Sequence, residues 1–317
     1  MVIRRKKKRE GRKKELNTRR RKLNGWTTFD TVVTVIVGIA LVITLYPLLY
    51  VFSCSISDPN MVSGGMVVLL PKGFSTLAYE IVMKNNDFWY AMLVTVFYCV
   101  ITCSMHLVTT IFVAYPLTRK NLKFRRYVVY FLLIPMYFGG GMIPTFMVVT
   151  KLGLYNSIWA LVLPGVGISN IILCRTFMMN LPAELSDAAL IDGCGQWKNL
   201  WKIVVPLSKP VLAVISMFNL VSTWNNWFNA SIYITKKELK PIQLYMKEIL
   251  ASVSAVGDKA LMSSLSVEEQ LKMMELAKSA NQIRYAMIIL TAAPILCVYP
   301  MFQKHFAKGI MVGSLKG

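Results

Sequence analysis

Residues 30–53 read DTVVTVIVGIALVITLYPLLYVFS, an apolar run with one charged residue at its edge. A bilayer core of roughly 30 Å needs about 20 helical residues, so this run predicts a membrane-spanning helix. Just before it lie Arg4, Arg5, Lys6, Lys7, Lys8, Arg9, Arg12, Lys13, Lys14, Arg19, Arg20, Arg21 and Lys22. A basic run beside a span reads as a cytoplasmic anchor against anionic lipid. It lacks interleaved aromatics, so nucleic-acid binding is the weaker reading. No small-residue cleavage site follows, so the apolar run reads as a retained first span.

Working outward, five more segments are apolar enough to cross, near 89–117, 127–149, 156–179, 207–233 and 284–303. The chain is 55% hydrophobic and only 16% charged, where a soluble domain carries about a quarter charged residues. The fold class is therefore all-α, a polytopic integral membrane protein of about six transmembrane helices. Pro47, Pro135, Pro164 and Pro294 fall inside these segments and mark expected bends.

Loop charge sets the orientation. Six spans put both termini on one side, together with Arg119, Lys120, Lys123, Arg125, Arg126 and the loop 180–206. Short cytoplasmic loops are rich in Lys and Arg, so both termini are expected in the cytoplasm. The other side holds most acidic residues, including Asp58, Glu80, Asp87, Glu238, Glu248, Asp258, Glu268, Glu269 and Glu275. The expected layout is a basic tail over 1–28, a transmembrane region over 29–306 and a cytoplasmic tail over 307–317. An outer segment, 234–283, is long enough to need its own structure. There Ser266-Val267-Glu268-Glu269 reads as a capping box opening a small helical lid.

The six cysteines form no CxxC pair and read as small apolar packing residues; no metal site is expected. His106 and His305 lie far apart with no ligand-like neighbours in the sequence.

The loop 180–206 carries the functional information. Pro182 suits a first helical position, and Glu184 and Asp187 lie near the positive end of that helix's dipole. Gly193 can end the helix with positive φ. A second short helix follows, with Trp197, Leu200, Trp201 and Val204 on one face. Val205-Pro206 is expected to close it before the fifth span. Small Ala188 and Ala189 let a partner's backbone approach, and Trp197 and Trp201 are interface-type anchors. Two readings stay open from these residues alone: a docking knob for a protein partner, or an amphipathic helix lying on lipid headgroups.

This loop resembles the EAA motif of ABC-importer permeases. The chain reads Asp187-Ala188-Ala189, three residues, Gly193, nine residues, then Ile203-Val204-Val205-Pro206. Asp187 replaces the usual Glu, and Val205 the usual Leu. The resemblance implies a coupling helix seated in an ATPase groove, with Glu184, Asp187, Ala188, Ala189, Gly193, Trp197 and Pro206 at the contact. The extreme C-terminus is similar to that of MalG-type carbohydrate permeases, which implies an ATPase contact through Gln303, Gly309, Gly313, Lys316 and Gly317. Gly139-Gly140-Gly141 through Thr145, and Asn156 through Leu161, resemble the branch named for LplC and YtcP. The resemblance implies a MetI/MalG-like permease fold in the bacterial cytoplasmic (inner) membrane. It further implies a second, different permease chain, two ATPase subunits that bind ATP and Mg, and an extracytoplasmic solute-binding protein. The cargo implied is an oligosaccharide, including acidic pectin-derived ones.

The chain has no GxxxxGK[ST] phosphate loop, so it is expected to be a non-catalytic transport subunit without a cofactor of its own. Asn219, Trp224, Asn225, Asn226, Trp227 and Asn229 in the fifth span, with Asn170 in the fourth, are candidate sugar-pathway residues. Helix–helix hydrogen bonding is the competing use of such side chains. An ion-coupled secondary transporter would need ionisable residues at mid-membrane. Asp30 and Arg175 sit near span ends, so that class is disfavoured. An importer for a non-sugar solute is the remaining alternative.

Overall fold

A computed structural model describes residues 27–119, 121–256 and 267–314. The basic run 4–22, Ser266, Lys316 and Gly317 lie outside the described residues. Thr27 opens the first helix, α1 (Thr28–Ser55), through a reciprocal capping box with Asp30. Asp30 N donates to Thr27 Oγ1 at 3.3 Å, and Thr27 N donates to Asp30 Oδ2 at 2.8 Å, satisfying two otherwise orphaned donors. Along α1 the apolar side chains face outward; Val42 and Ile43 are each 64% exposed. A surface of this kind is stable against lipid, not water.

The central helix is α2 (Asn86–Ala114), started by Asn85, whose side chain accepts from Asp87 N. Its first half packs Phe88, Ala91 and Cys99 against Trp224, Ile242 and Met287. Its second half packs Ile111 and Ala114 against Ile171, Cys174, Leu200 and Ile215. In a bilayer such contacts hold helices together by close packing, because lipid tails are as apolar as the side chains.

Among the described residues three helices are long and apolar enough to cross a membrane, and three bent pairs qualify as broken spans. The stretch 127–149, expected as one span, is one of these. It divides into α3 (Arg125–Tyr137) and α4 (Met142–Lys151), which meet at 115°. The cause is local: Gly141 has φ +84°, open to glycine at low cost, and it follows two further glycines. In the fourth segment a three-ten turn at Leu163–Gly165 precedes α5 (Ile168–Met179), with a 45° bend. Pro164 supplies no N–H there to carry an α-helix on.

The loop beyond α5 forms α6 (Ala183–Ile191) and α7 (Gln196–Asn199), the latter running through a π-turn at Leu200–Val204. Contrary to expectation, Val205-Pro206 does not close this helix. Pro206 instead sits at the start of one more turn, Val205–Leu207, where a missing N–H is harmless. The chain then turns by 75° at Ser208 into α8 (Lys209–Trp224). The segment 207–233 is also not continuous: Asn225 and Asn226 separate α8 from α9 (Trp227–Tyr233).

Two more helices follow among the described residues, α10 (Ile242–Val256) and α11 (Val267–Ser314). The helix expected after Ser266 is present, but as the opening of α11 and not as a separate lid. α11 packs on α1 and α8 and carries the sixth span within Ser279–Phe302. Gln282 ties it to the end of α1, its Nε2 donating to Ser57 O at 2.8 Å and to Ser75 O at 3.1 Å.

Candidate functional site

The first candidate feature is the knob at α6–α7. Gly193 has φ +75°, and Cys194 N donates to Ala189 O at 2.8 Å. That bond, reaching back five residues over a left-handed glycine, is the Schellman ending of a helix. It leaves Glu184, Asp187, Ala188 and Gly193 exposed at the tip. Ala189, expected at the contact, is turned inward and only 5% exposed. Ile191, passed over in the sequence, is 86% exposed and is the most prominent apolar side chain of the tip.

Trp197 was expected to anchor a partner. Its ring is partly engaged within the chain, edge-on to Phe112 of α2 at 5.8 Å, and Trp201 meets the same ring at 6.1 Å. Just past α2, Tyr115 Oη donates to the Gln196 carbonyl at 3.1 Å, while Arg119 donates to Tyr115 Oη. The root of the knob is thus clamped to the end of α2. Asn199 is fully buried there with neither side-chain polar atom partnered, and Ser208 Oγ at the bend is equally orphaned. Pro206 is exposed beyond the clamp. The Gln303 side chain and all of Lys316 and Gly317 fall outside the described residues, while Gly309 and Gly313 lie in the last turns of α11.

The second feature is a cavity of about 260 Å³. Its walls come from the three broken spans and from α2: Thr145 on α4, Pro164 and Gly165 at the three-ten turn, and Asn219 and Asn226 flanking the end of α8. Irregular backbone is tolerated at membrane depth where it lines a cavity. Asn229 and Tyr233 of α9 extend the wall. No Lys, Arg, Asp or Glu is in the lining.

Of the pathway candidates, Asn219, Asn226 and Asn229 line this cavity. Asn170 stands behind, its Nδ2 donating to Asn219 Oδ1 at 3.1 Å. The other three turn elsewhere. Trp224 is buried in the α2–α11 core, its Nε1 donating to Thr291 O at 3.1 Å. Asn225 Nδ2 donates to Val221 O at 3.0 Å. Trp227 faces Lys247, whose Nζ lies 3.9 Å from the ring centre.

Several polar lining residues were missed, two of them on α2. Thr102 and His106 lie one turn apart on α2, and each is 3% exposed. Polar residues at i and i+4 in an apolar run were the available signal. His106 Nε2 lies 3.0 Å from Val162 O. Gly165 makes room for the ring: a Cβ there would fall 2.9 Å from His106 Cε1. His106 is also an ionisable residue well inside a span, unlike Asp30 and Arg175 near span ends.

Near α9 and α10 the surface is charged. Lys237 pairs with Asp87 at 2.7 Å, and Lys240 with Glu248 at 2.7 Å. The hydrogen bond to Asp87, with that carboxylate's charge, raises the Lys237 pKa.

Residues 74–312 match the family described as binding-protein-dependent transport system inner membrane component. Protein LplC of Bacillus subtilis (strain 168) is 35% identical over 292 residues, covering 91% of this chain and 95% of that protein. The polygalacturonan/rhamnogalacturonan transport system permease protein YtcP of the same organism is 36% identical over 277 residues, covering 87% and 93%. A chain in the crystal structure of a bacterial ABC transporter involved in the import of the acidic polysaccharide alginate superposes with a TM-score of 0.78. It is 31% identical, with 88% of this chain and 96% of that one covered.

Proposed function

Because the chain belongs to the family of binding-protein-dependent transport system inner membrane components, we propose that it passes an acidic oligosaccharide inward across the bacterial cytoplasmic membrane. It is a permease subunit of an importer, and its family works with ATPase and solute-binding partners. In this reading a second, different permease chain completes the pathway, and two ATPase subunits hold ATP and Mg. Both termini and the α6–α7 knob face the cytoplasm. The solute-binding protein meets the opposite face, which includes the segment 234–283.

The observation that carries the reading is one polar cavity lined by side chains from all three broken spans, with the three-ten turn at Leu163–Gly165 and the Asn225–Asn226 end of α8 at its walls. The knob and the cavity share two rigid connectors. On α2, Phe112 at the clamp and His106 in the cavity are separated by roughly 9 Å of helix. On α8, the Ser208 bend and Asn219 are separated by roughly 16 Å. An ATPase that grips Glu184, Asp187, Ala188, Gly193 and Ile191 and closes on ATP moves the root of both helices. The cavity walls then shift with them, and the breaks at Gly141, Gly165 and Asn225 absorb the change. ATP can drive the cycle only by favouring one of the two arrangements over the other.

The cargo class is supported by the relatives: YtcP is named for polygalacturonan and rhamnogalacturonan, and the solved neighbour for alginate. Proteoliposomes holding the assembled importer test it, with solute-binding protein and labelled trigalacturonate outside and ATP inside. Uptake that needs ATP hydrolysis is expected. Uptake driven instead by a proton or sodium gradient, with ATP irrelevant, would contradict the proposal and favour an ion-coupled carrier using His106.

A further inference from the structure

Three polar atoms in the walls of the cavity have no hydrogen-bond partner: Thr102 Oγ1, His106 Nδ1 and Asn219 Nδ2. All three are shielded, their residues being 3%, 3% and 7% exposed. A buried polar group without a partner is costly, so three in one wall call for an explanation. Their chemistry is specified by the bonds their residues already make. His106 Nε2 faces a carbonyl, which only accepts, so Nε2 carries the hydrogen, and in the neutral tautomer with that hydrogen Nδ1 is an acceptor. Asn219 Oδ1 already accepts from Asn170, which leaves Asn219 Nδ2 as a donor. Thr102 Oγ1 can both donate and accept.

An acceptor, a donor and a hydroxyl on adjoining walls match a group that donates and accepts at neighbouring positions. A pair of adjacent hydroxyls on a sugar ring does this. A carboxylate only accepts and would leave an Nδ1 acceptor unanswered, and no Lys or Arg is among the described lining residues. The cavity volume of about 260 Å³ falls below the roughly 300–1,000 Å³ of drug-sized sites, so it suits one ring and not a whole oligosaccharide.

Resting on the reading above, we infer that Thr102, His106 and Asn219 form a subsite that reads adjacent hydroxyls of one pyranose ring of the cargo. Carboxylate groups of that cargo are met outside this subsite. The three atoms lie just behind the cavity surface, and the inference requires their side chains to turn toward a ring held in it. Asn170 and Gly165 are positioning residues: the first fixes the Asn219 amide, and the second leaves space for the His106 ring.

The test crosses a protein change with a cargo change in the assembled importer, so that the solute-binding protein's own preferences cancel. Initial uptake is measured for wild type, Thr102→Val and Thr102→Ser. The cargoes are trigalacturonate, its carboxyl methyl ester, and a form methylated on the ring hydroxyls. Valine keeps the shape and removes the hydroxyl; serine restores it. We expect Thr102→Val to slow trigalacturonate and its methyl ester about tenfold, Thr102→Ser to recover most of that, and hydroxyl-methylated cargo to respond to neither. Normal wild-type uptake with equal loss on all three cargoes, or no loss on any, overturns the subsite while leaving the importer reading intact. Absence of wild-type uptake of every cargo overturns both. Co-elution of each variant with the ATPase confirms that it has folded.

Discussion

Replacing Gly193 separates strain within the chain from contact with a partner. Gly193 has φ +75°, and a Cβ built on it meets nothing within 4 Å. Any L side chain there therefore costs backbone strain alone within this chain, about 1–2 kcal/mol for alanine. That is a factor of about 5–30 in the population of the knob shape, since 1.4 kcal/mol is tenfold. Asparagine tolerates the left-handed region better, so Gly193→Asn should lose less than Gly193→Ala. A leucine shares that unobstructed Cβ, so further loss with Gly193→Leu beyond Gly193→Ala points to a partner surface pressed against the tip. Titrating detergent-solubilised permease complex with the purified ATPase gives the affinities. The expected order is Gly, then Asn, then Ala, then Leu, with Ala weaker than Gly by about tenfold. Equal binding by all four would show that the knob shape does not govern docking, and equal binding by Ala and Leu would remove the tip from the interface.

Phe112→Leu removes both edge-on pairs to Trp197 and Trp201, each worth about 0.5–1.5 kcal/mol. ATPase binding should survive, while cargo moved per ATP hydrolysed falls severalfold; an unchanged ratio would argue against the clamp. Trp224→Phe loses the bond to the Thr291 carbonyl, about 1 kcal/mol. It should lower the melting temperature by a few degrees and leave the cargo KM unchanged, whereas a raised KM would return Trp224 to the pathway. Asn156 holds φ +59° and its Oδ1 accepts from both Thr235 N and Lys236 N at 3.0 Å. Asn156→Ala should cost about 2 kcal/mol and expose the 234–239 segment to limited proteolysis, with protection retained if these bonds are dispensable.

Much of the architecture was legible because lipid imposes it. Runs such as 30–53 must be helical when no water is present to satisfy the backbone, and length alone then counts the spans. Gly193 was legible for a local reason, since a glycine after a helical stretch announces a left-handed ending. The breaks were less so. Pro164 was visible as bend-prone, but the glycines 139–141 entered only through a resemblance, and the left-handed φ of Gly141 behind the 115° turn is not announced by composition. Asn219 and Asn226 were identified as polar residues in an apolar segment, and that criterion could not separate them from Trp224 and Asn225. The separation comes from the end of α8: once the helix stops at Trp224, each following side chain leaves in a new direction. His106 was hidden because its partners, Val162 and Gly165, lie on another segment. Trp197 carried an interface-type residue whose ring is partly occupied by Phe112, a contact no local pattern records.

The account turns on the knob and the cavity moving together under an ATPase. Electron cryomicroscopy of the assembled importer, nucleotide-free and trapped with ATP, tests this directly. The account predicts ATPase density seated on 183–207 in both states, with the walls at Thr102, His106 and Asn219 parted in one and shut in the other. A knob embedded in lipid away from the ATPase, or a cavity of the same shape in both states, would contradict it.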